Sequence, residues 1–269
     1  MTARKSHSRR FLIAGAGVLA VGAAAFGLAL FSPTLGPIAG SIAPQLYVDS
    51  VAGAQIPVHG PYLLVDANSA RLYMIEDGRV QDSMKVIVGK PETPTPALKD
   101  VINYATLNPY WHVGPDLART LIAPNVLKQG IPYLTAHGYE VVTGWGNDAQ
   151  VIPADSIDWK AVAAGTRQIY VRELPGPWNS LGHYKFDLPH GDGIYLHDTP
   201  RKELFAQDQR DLSHGCVRLE DAAKLARWLL GKDPPEAPAP EENVLLPHPV
   251  PITISYLDTA SRTQLSALR

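Results

Sequence analysis

The sequence predicts a mainly β (α+β), β-sandwich-like domain with a mixed insertion and one helix after its single cysteine. Three observations predict it. Strand patterns follow one another over residues 62–89, joined by turns too short for a crossover helix. Strand patterns return at residues 169–172, 184–186, 194–197 and 251–256. Between these blocks, residues 103–165 mix helical and strand periodicity.

Taken in order, the chain opens on Arg4, Lys5, Arg9 and Arg10, followed by an uncharged run from Phe11 to Phe31. A basic flank before about 20 apolar residues reads as an export segment, and residues 1–31 are expected to be a signal or membrane anchor. Such an anchor holds the chain in a membrane by residues 11–31 and places the body outside the cytoplasm. Ser8-Arg9-Arg10-Phe11-Leu12 resembles a twin-arginine signal, and Ser41-Ile42-Ala43 offers a small-x-small cleavage site. Residues 32–59, rich in Pro, Gly and Ala, read as a linker. The net charge is -2. With four bases and no acid in residues 1–31, the rest carries -6. That excludes a nucleic-acid partner bound through a basic surface.

The folded part starts near residue 60. Tyr62–Asp66, Arg71–Ile75 and Ser83–Gly89 alternate as strands, with the Asp77-Gly78 hairpin signal between the last two. Pro91, Pro94 and Pro96 end the meander. Within residues 103–165, Leu117–Lys128 has helical spacing interrupted at Pro124, a second helix ends at Gly138, and Asp155 is expected to cap a third. Tyr139–Val142 is a strand. This insertion is a candidate capping subdomain. After Cys216, Glu220 or Asp221 caps a helix through Leu230, closed by Gly231. The proline-rich stretch 232–249 reads as a loop, 251–256 as the last strand, and 258–269 as a frayed tail.

Ser213-His214-Gly215-Cys216-Val217-Arg218-Leu219 holds the only cysteine of 269 residues. A lone cysteine cannot form an internal disulfide, and an unpaired thiol in an oxidising compartment needs a reason. A base or a helix N-terminus is needed to ionise it, and a helix is expected just after it. His197, at the end of a strand, and His214, two residues away, are the candidate bases. The backbone of His214-Gly215-Cys216 can form an oxyanion hole. Arg218 can fork onto a carboxylate or merely pair with Glu220 or Asp221. No metal site is expected, because CxxC and HExxH spacings are absent.

Ser-His-Gly-Cys-Val-Arg-Leu after Tyr195-Leu196-His197 resembles the signature of the L,D-transpeptidase catalytic domain, the YkuD family. Leu72-Tyr73, Val88-Gly89-Lys90 with a following Thr-Pro pair, and Asn179-Ser180-Leu181-Gly182 fit earlier family blocks. Leu107-Asn108-Pro109-Tyr110-Trp111, His137-Gly138-Tyr139 and Pro175-Gly176-Pro177 resemble the large periplasmic members that carry a capping subdomain. The resemblance implies a catalytic domain over 60–257, with the candidate cap at 103–165, and it makes the anchor's membrane the inner membrane and the compartment beyond it the periplasm. It implies that Cys216 attacks the third residue of a peptidoglycan tetrapeptide stem, releases D-alanine, and passes the acyl group to an amine of a second stem. A hydrolase using water, or a non-catalytic wall-binding module, are the alternatives. It implies His197 as general base oriented by the Asp198 carbonyl, and His214 and Gly215 as oxyanion and geometry residues. Arg218, Ser213, Trp178 and Asn179 are implied on the substrate side. Peptidoglycan stem peptides and carbapenem inhibitors are the implied partners, and no cofactor is needed.

Overall fold

A computed structural model describes residues 47–51, 54–146 and 148–269. The anchor expected at 11–31, the cleavage site and most of the linker lie outside the described residues. Among the described residues no helix is long and apolar enough to cross a membrane.

A ribbon of β1 (Tyr47–Val51) and β2 (Ala54–Pro57) precedes β3 (Pro61–Asp66), β4 (Arg71–Glu76), β5 (Arg79–Gly89) and β6 (Leu98–Leu107). The insertion holds β7 (Trp111–Val113), α1 (Pro115–Leu117), α2 (Ala123–Gln129), α3 (Pro132–Ala136), β8 (Tyr139–Val142), β9 (Val151–Ile152), α4 (Trp159–Ala163) and β10 (Tyr170–Glu173). Then come β11 (Tyr184–Asp187), β12 (Tyr195–His197), β13 (Asp211–Ser213), β14 (Val217–Leu219), α5 (Ala222–Leu230), β15 (Glu242–Ser255) and α6 (Thr259–Ala267).

The expected sandwich-like arrangement is corrected: the main sheet closes on itself. Its order is β5-β14-β12-β11-β6-β15-β3-β4, and β4 pairs back onto β5. The result is an eight-stranded mixed barrel, with β12/β14 and β15/β3 parallel. Closure leaves no free edge along those pairs. β13 adds in parallel to the far end of β5.

Alternation explains how one chain fills the barrel and coats it. Leu63, Val65, Leu72 and Met74 point into the barrel core, whereas Tyr62, Leu64 and Ile75 join a second cluster with Ile56, Leu257 and Leu265. β3 is therefore buried on both faces, which is why it reads as a near-continuous apolar run. The helix expected after Cys216 is present as α5. Asp221 caps it by accepting from the Lys224 N–H, and Gly231 ends it in the left-handed region. Its buried Leu225, Leu229 and Leu230 join the barrel core, each contributing about 1.5–3 kcal/mol.

Other expectations are corrected by longer-range pairing. The proline-rich loop expected at 232–249 becomes strand from Glu242, paired with β6. Pro247 and Pro249 are tolerated because they fall in the bulge between Leu245 and Val250, where no ladder bond is needed. The frayed tail is instead α6, capped by Asp258. Residues 103–107 belong to β6, and Tyr170–Glu173 completes the small antiparallel sheet β7-β10-β8-β9. The insertion's own core thus lies within 111–173, displaced from the expected 103–165. The expected interruption at Pro124 takes the form of a change of helix type: a π turn over Ala118–Ile122 gives way to α2, with Pro124 in its first turn, where a missing N–H is tolerated. Asp158, not Asp155, caps α4.

Candidate active site

Strand register builds the site. β12 and β14 lie parallel, with Leu196 opposite Val217 and His197 opposite Arg218. Leu196 and Val217 are fully buried in the barrel core. Period two then puts Tyr195 and His197 of one strand, and Cys216 and Arg218 of the other, on the opposite face. All four line one cavity of about 520 Å³. Its far wall comes from the small sheet and its helix: Trp111, His112, Gly114, Leu117 and Leu121.

The loop before β14 is fixed from within. Ser213 Oγ donates to the Cys216 carbonyl at 2.7 Å and accepts from the Gly215 N–H at 3.1 Å. Thr95, fully buried, donates its hydroxyl to the Gly215 carbonyl at 2.7 Å and accepts from the Gly89 N–H at 2.8 Å. Gly215 has φ +123°, and a Cβ there would stand 3.0 Å from Ile194 Cδ1. Gly89 approaches the 93–95 backbone so closely that a Cβ would lie 2.1 Å from the Thr93 carbonyl oxygen.

The expected helix N-terminus is not beside the thiol. Cys216 leads into β14, and α5 starts only at Ala222. Accordingly the thiol is not acidified: burial pushes its pKa up, and the opposing pull of Tyr195 and Arg218 does not reverse that. Sγ donates to the Gly193 carbonyl at 3.7 Å.

His197 is buried, and its Nδ1–H donates to the Asp198 carbonyl. That fixes the neutral tautomer with Nε2 as the acceptor. Burial first, then the neighbouring Arg218 charge, push its pKa down to about 3. Asp198 is held in turn. Its N–H donates to the Tyr184 carbonyl, and its carboxylate accepts from the His183 N–H at 3.0 Å and Lys202 Nζ at 2.6 Å. Lys202 Nζ also donates to the Leu219 and Glu220 carbonyls. One ammonium thus ties the end of the β12 strand to the end of the β14 strand.

Arg218 pairs with neither Glu220 nor Asp221. Glu220 accepts from the Lys85 N–H, and Asp221 caps α5. The Arg218 Nε is buried without a partner among the described residues. Burial and then the Arg201 charge push its pKa down. Arg218 and Ser180 also line an adjoining cavity of about 470 Å³ with Trp178, Arg201, Glu173 and His137.

Of the residues expected at the site, Cys216, His197, His214 and Arg218 converge on one cavity, and Gly215 shapes its loop. Ser213 lines it too, but its hydroxyl is turned inward onto the loop backbone. Trp178, 82% exposed, stands at the adjoining cavity. Asn179 is corrected: it is 2% exposed, donates to the Pro109, Glu173 and Leu174 carbonyls and accepts from the Leu181 N–H. It staples a turn and presents nothing to a ligand. Sequence reasoning missed Tyr195, although alternation from His197 marks it, and Thr95, Lys202 and the insertion's wall residues, which only tertiary pairing brings in. No group of three or more metal-ligating side chains occurs among the described residues.

The family model described as the YkuD L,D-transpeptidase catalytic domain matches residues 60–252. A Haemophilus influenzae protein provisionally named an L,D-transpeptidase is 35% identical over 168 residues, 62% of this chain and 33% of that protein. The chain thus spans about a third of the relative's length. Solved structures align more loosely. An L,D-transpeptidase from Mycobacterium smegmatis is 17% identical over 77% of this chain and 64% of its own, with a TM-score of 0.36. The catalytic domain of an E. faecium L,D-transpeptidase acylated by ertapenem is 15% identical over 73% of this chain and 98% of its own, with a TM-score of 0.34.

Proposed function

The chain belongs to the L,D-transpeptidase catalytic domain family, and we propose that it is a peptidoglycan L,D-transpeptidase that makes 3–3 cross-links. The observation that carries this reading is the shared face of β12 and β14, where a tautomer-fixed neutral imidazole and the chain's only thiol line one cavity.

Because the thiol is held protonated and the imidazole neutral, the resting pair carries no charge. Cys216 Sγ attacks the carbonyl carbon of the third stem residue as its proton passes to His197 Nε2. A C–S bond forms and the peptide C–N bond breaks. The proton goes on to the departing amine, and D-alanine leaves. An amine of a second stem then attacks the thioester, and the thiol is restored. The oxyanion falls to the Cys216 N–H, because the Gly215 N–H donates to Ser213 Oγ. The Arg218 guanidinium, whose buried Nε has no partner among the described residues, meets a substrate carboxylate. His214 borders the thiol from the exposed side of the loop, and Trp178 borders the neighbouring cavity. The anchor at residues 11–31 would set this chemistry in the periplasm.

Full-length protein incubated with a disaccharide-tetrapeptide and read by mass spectrometry tests the proposal. Dimer plus D-alanine is expected, with both products abolished in Cys216→Ala. Tripeptide plus D-alanine alone would assign a hydrolase instead, and no product at all would sink both readings. A carbapenem should add its mass to the wild type and not to Cys216→Ala.

A further inference from the structure

An acceptor amine arrives at neutral pH as an ammonium, because alkylamine pKa values lie near 10. It must shed a proton before it can attack. A second cavity, which shares His112 with the thiol cavity, has the chemistry for both steps. It measures about 360 Å³, and Tyr110, His112, Trp145, Arg172 and Glu241 are among the residues that line it. His112 belongs to both spaces, since it also lines the Cys216 cavity.

The walls suit a cation. The His112 ring lies 6.3 Å from Tyr110 and 5.9 Å from Trp145, and Trp145 packs edge-on against Tyr170 at 5.2 Å. Trp145 stays 41% exposed, so aromatic surface is open to a ligand. The Glu241 carboxylate lies 3.9 Å from His112 Nδ1. The cations nearby are already committed. Arg172 donates twice to Glu140 Oε2 and stacks over Tyr110 at 4.4 Å. Lys185 pairs with Asp187 at 3.2 Å. Glu241 is left as the carboxylate facing the imidazole. Burial, helped by the Lys185 and Arg172 charges, keeps His112 below the usual imidazole range against the opposing pull of Glu241 and Asp187, so at neutral pH it is a free base.

We infer that this cavity is the subsite for a primary ammonium, and that His112 takes its proton as the amine crosses into the thiol cavity. This rests on the transpeptidase reading above. The ammonium gives one proton to His112, and the imidazolium is stabilised by Glu241. The free amine attacks the thioester carbonyl carbon. A C–N bond forms, the C–S bond breaks, and the sulfur leaves with its electron pair. The second amine proton passes through His197 to Cys216 Sγ. His112 returns its proton to solvent.

Two measurements on the full-length protein test this. In the first, pentylammonium is titrated while the His112 ring resonance, assigned by its loss in His112→Gln, is followed by NMR. A saturable shift is expected, absent with pentanol and weakened at least fivefold in Glu241→Gln. No shift, or the same shift with pentanol, overturns the inference. In the second, disaccharide-tetrapeptide and pentylamine are supplied together, and the ratio of amide product to tripeptide is measured. His112→Gln should lower that ratio on the order of a hundredfold at pH 7. The gap should close as pH approaches 10, where the amine is already free. A merely structural role would not recover with pH, and an unchanged ratio overturns the inference. A wild type that releases no D-alanine would sink the transpeptidase reading, and the ring titration would still decide this one.

Discussion

His197 stays neutral because of where it sits, and the thermodynamic consequence is measurable. Its folded pKa of about 3 lies below the roughly 6.5 of an unfolded histidine. Below pH 6.5 the unfolded chain binds a proton that the folded chain refuses. The sign is therefore fixed: the contribution is fully present above about pH 6.5 and is lost as pH falls toward about 3, at about 1.4 kcal/mol per pH unit. His197→Gln keeps a donor for the Asp198 carbonyl and has no proton to gain. Urea unfolding of both proteins from pH 7 to pH 4 should show the wild type losing stability faster, and parallel curves would refute this account. The same residue scale shows what sequence can reveal. Cys216, His197 and Arg218 were legible because strand alternation and a contiguous motif fix their direction. Ser213 and Asn179 were misjudged because a polar side chain that binds substrate and one that staples a turn look alike until their partners are known. The helix was legible from its Asp221 cap, but its reach was misjudged, because the three residues of β14 stand between the thiol and that cap.

At the scale of elements, short-range signals were legible and long-range ones were not. The meander β3–β5 and helix α5 carry their own turn and cap residues. β6 does not: Lys99, Asp100 and Asn103 break its apolar pattern, and it forms because β11 and β15 flank it. The helix α6 is the clearest such case. Its sequence is polar apart from Leu265 and Leu268, yet Leu265 is 1% exposed in a cluster with Ile56, Leu64 and Ile75. The Val80 N–H donates to the Leu268 carbonyl, and Arg262 Nη1 stands 3.6 Å from the buried Asp66 carboxylate. A tail that merely frayed would not respond to truncation of its one buried anchor. Leu265→Ala should cost about 2–4 kcal/mol in urea unfolding, as for other buried leucines. A loss below about 0.5 kcal/mol would return this segment to a tail.

Among the described residues the barrel core and the insertion core stand on the two sides of the cleft, and no local pattern in the sequence announces that a sheet will close into a barrel. Closure needs β4 and β5 to meet across the structure from the β6/β15 pair, which is a property of the set of strands and not of any one. The two cores differ in strength. The barrel core gathers residues from all eight of its strands and α5, whereas the insertion packs short strands and helices around Val113, Ile122, Val126, Trp159 and Val171. Only the connections Leu107 to Trp111 and Glu173 to Tyr184 join them along the chain. Weak local units open first. Yet the weaker unit supplies the Trp111, His112, Leu117 and Leu121 side of the cavity, which on the proposed transpeptidase reading keeps water from the thioester. Ile122→Ala, at a fully buried site, should cost about 3 kcal/mol. That cost should fall on one unit. Hydrogen exchange should show amides in Trp111–Glu173 losing protection while amides of β3, β6 and β15 keep theirs. The ratio of tripeptide to cross-linked dimer should rise as water reaches the acyl group. Uniform loss of protection across both cores would mean that they unfold as one, and the insertion would then have to act as a fixed wall with no independent opening.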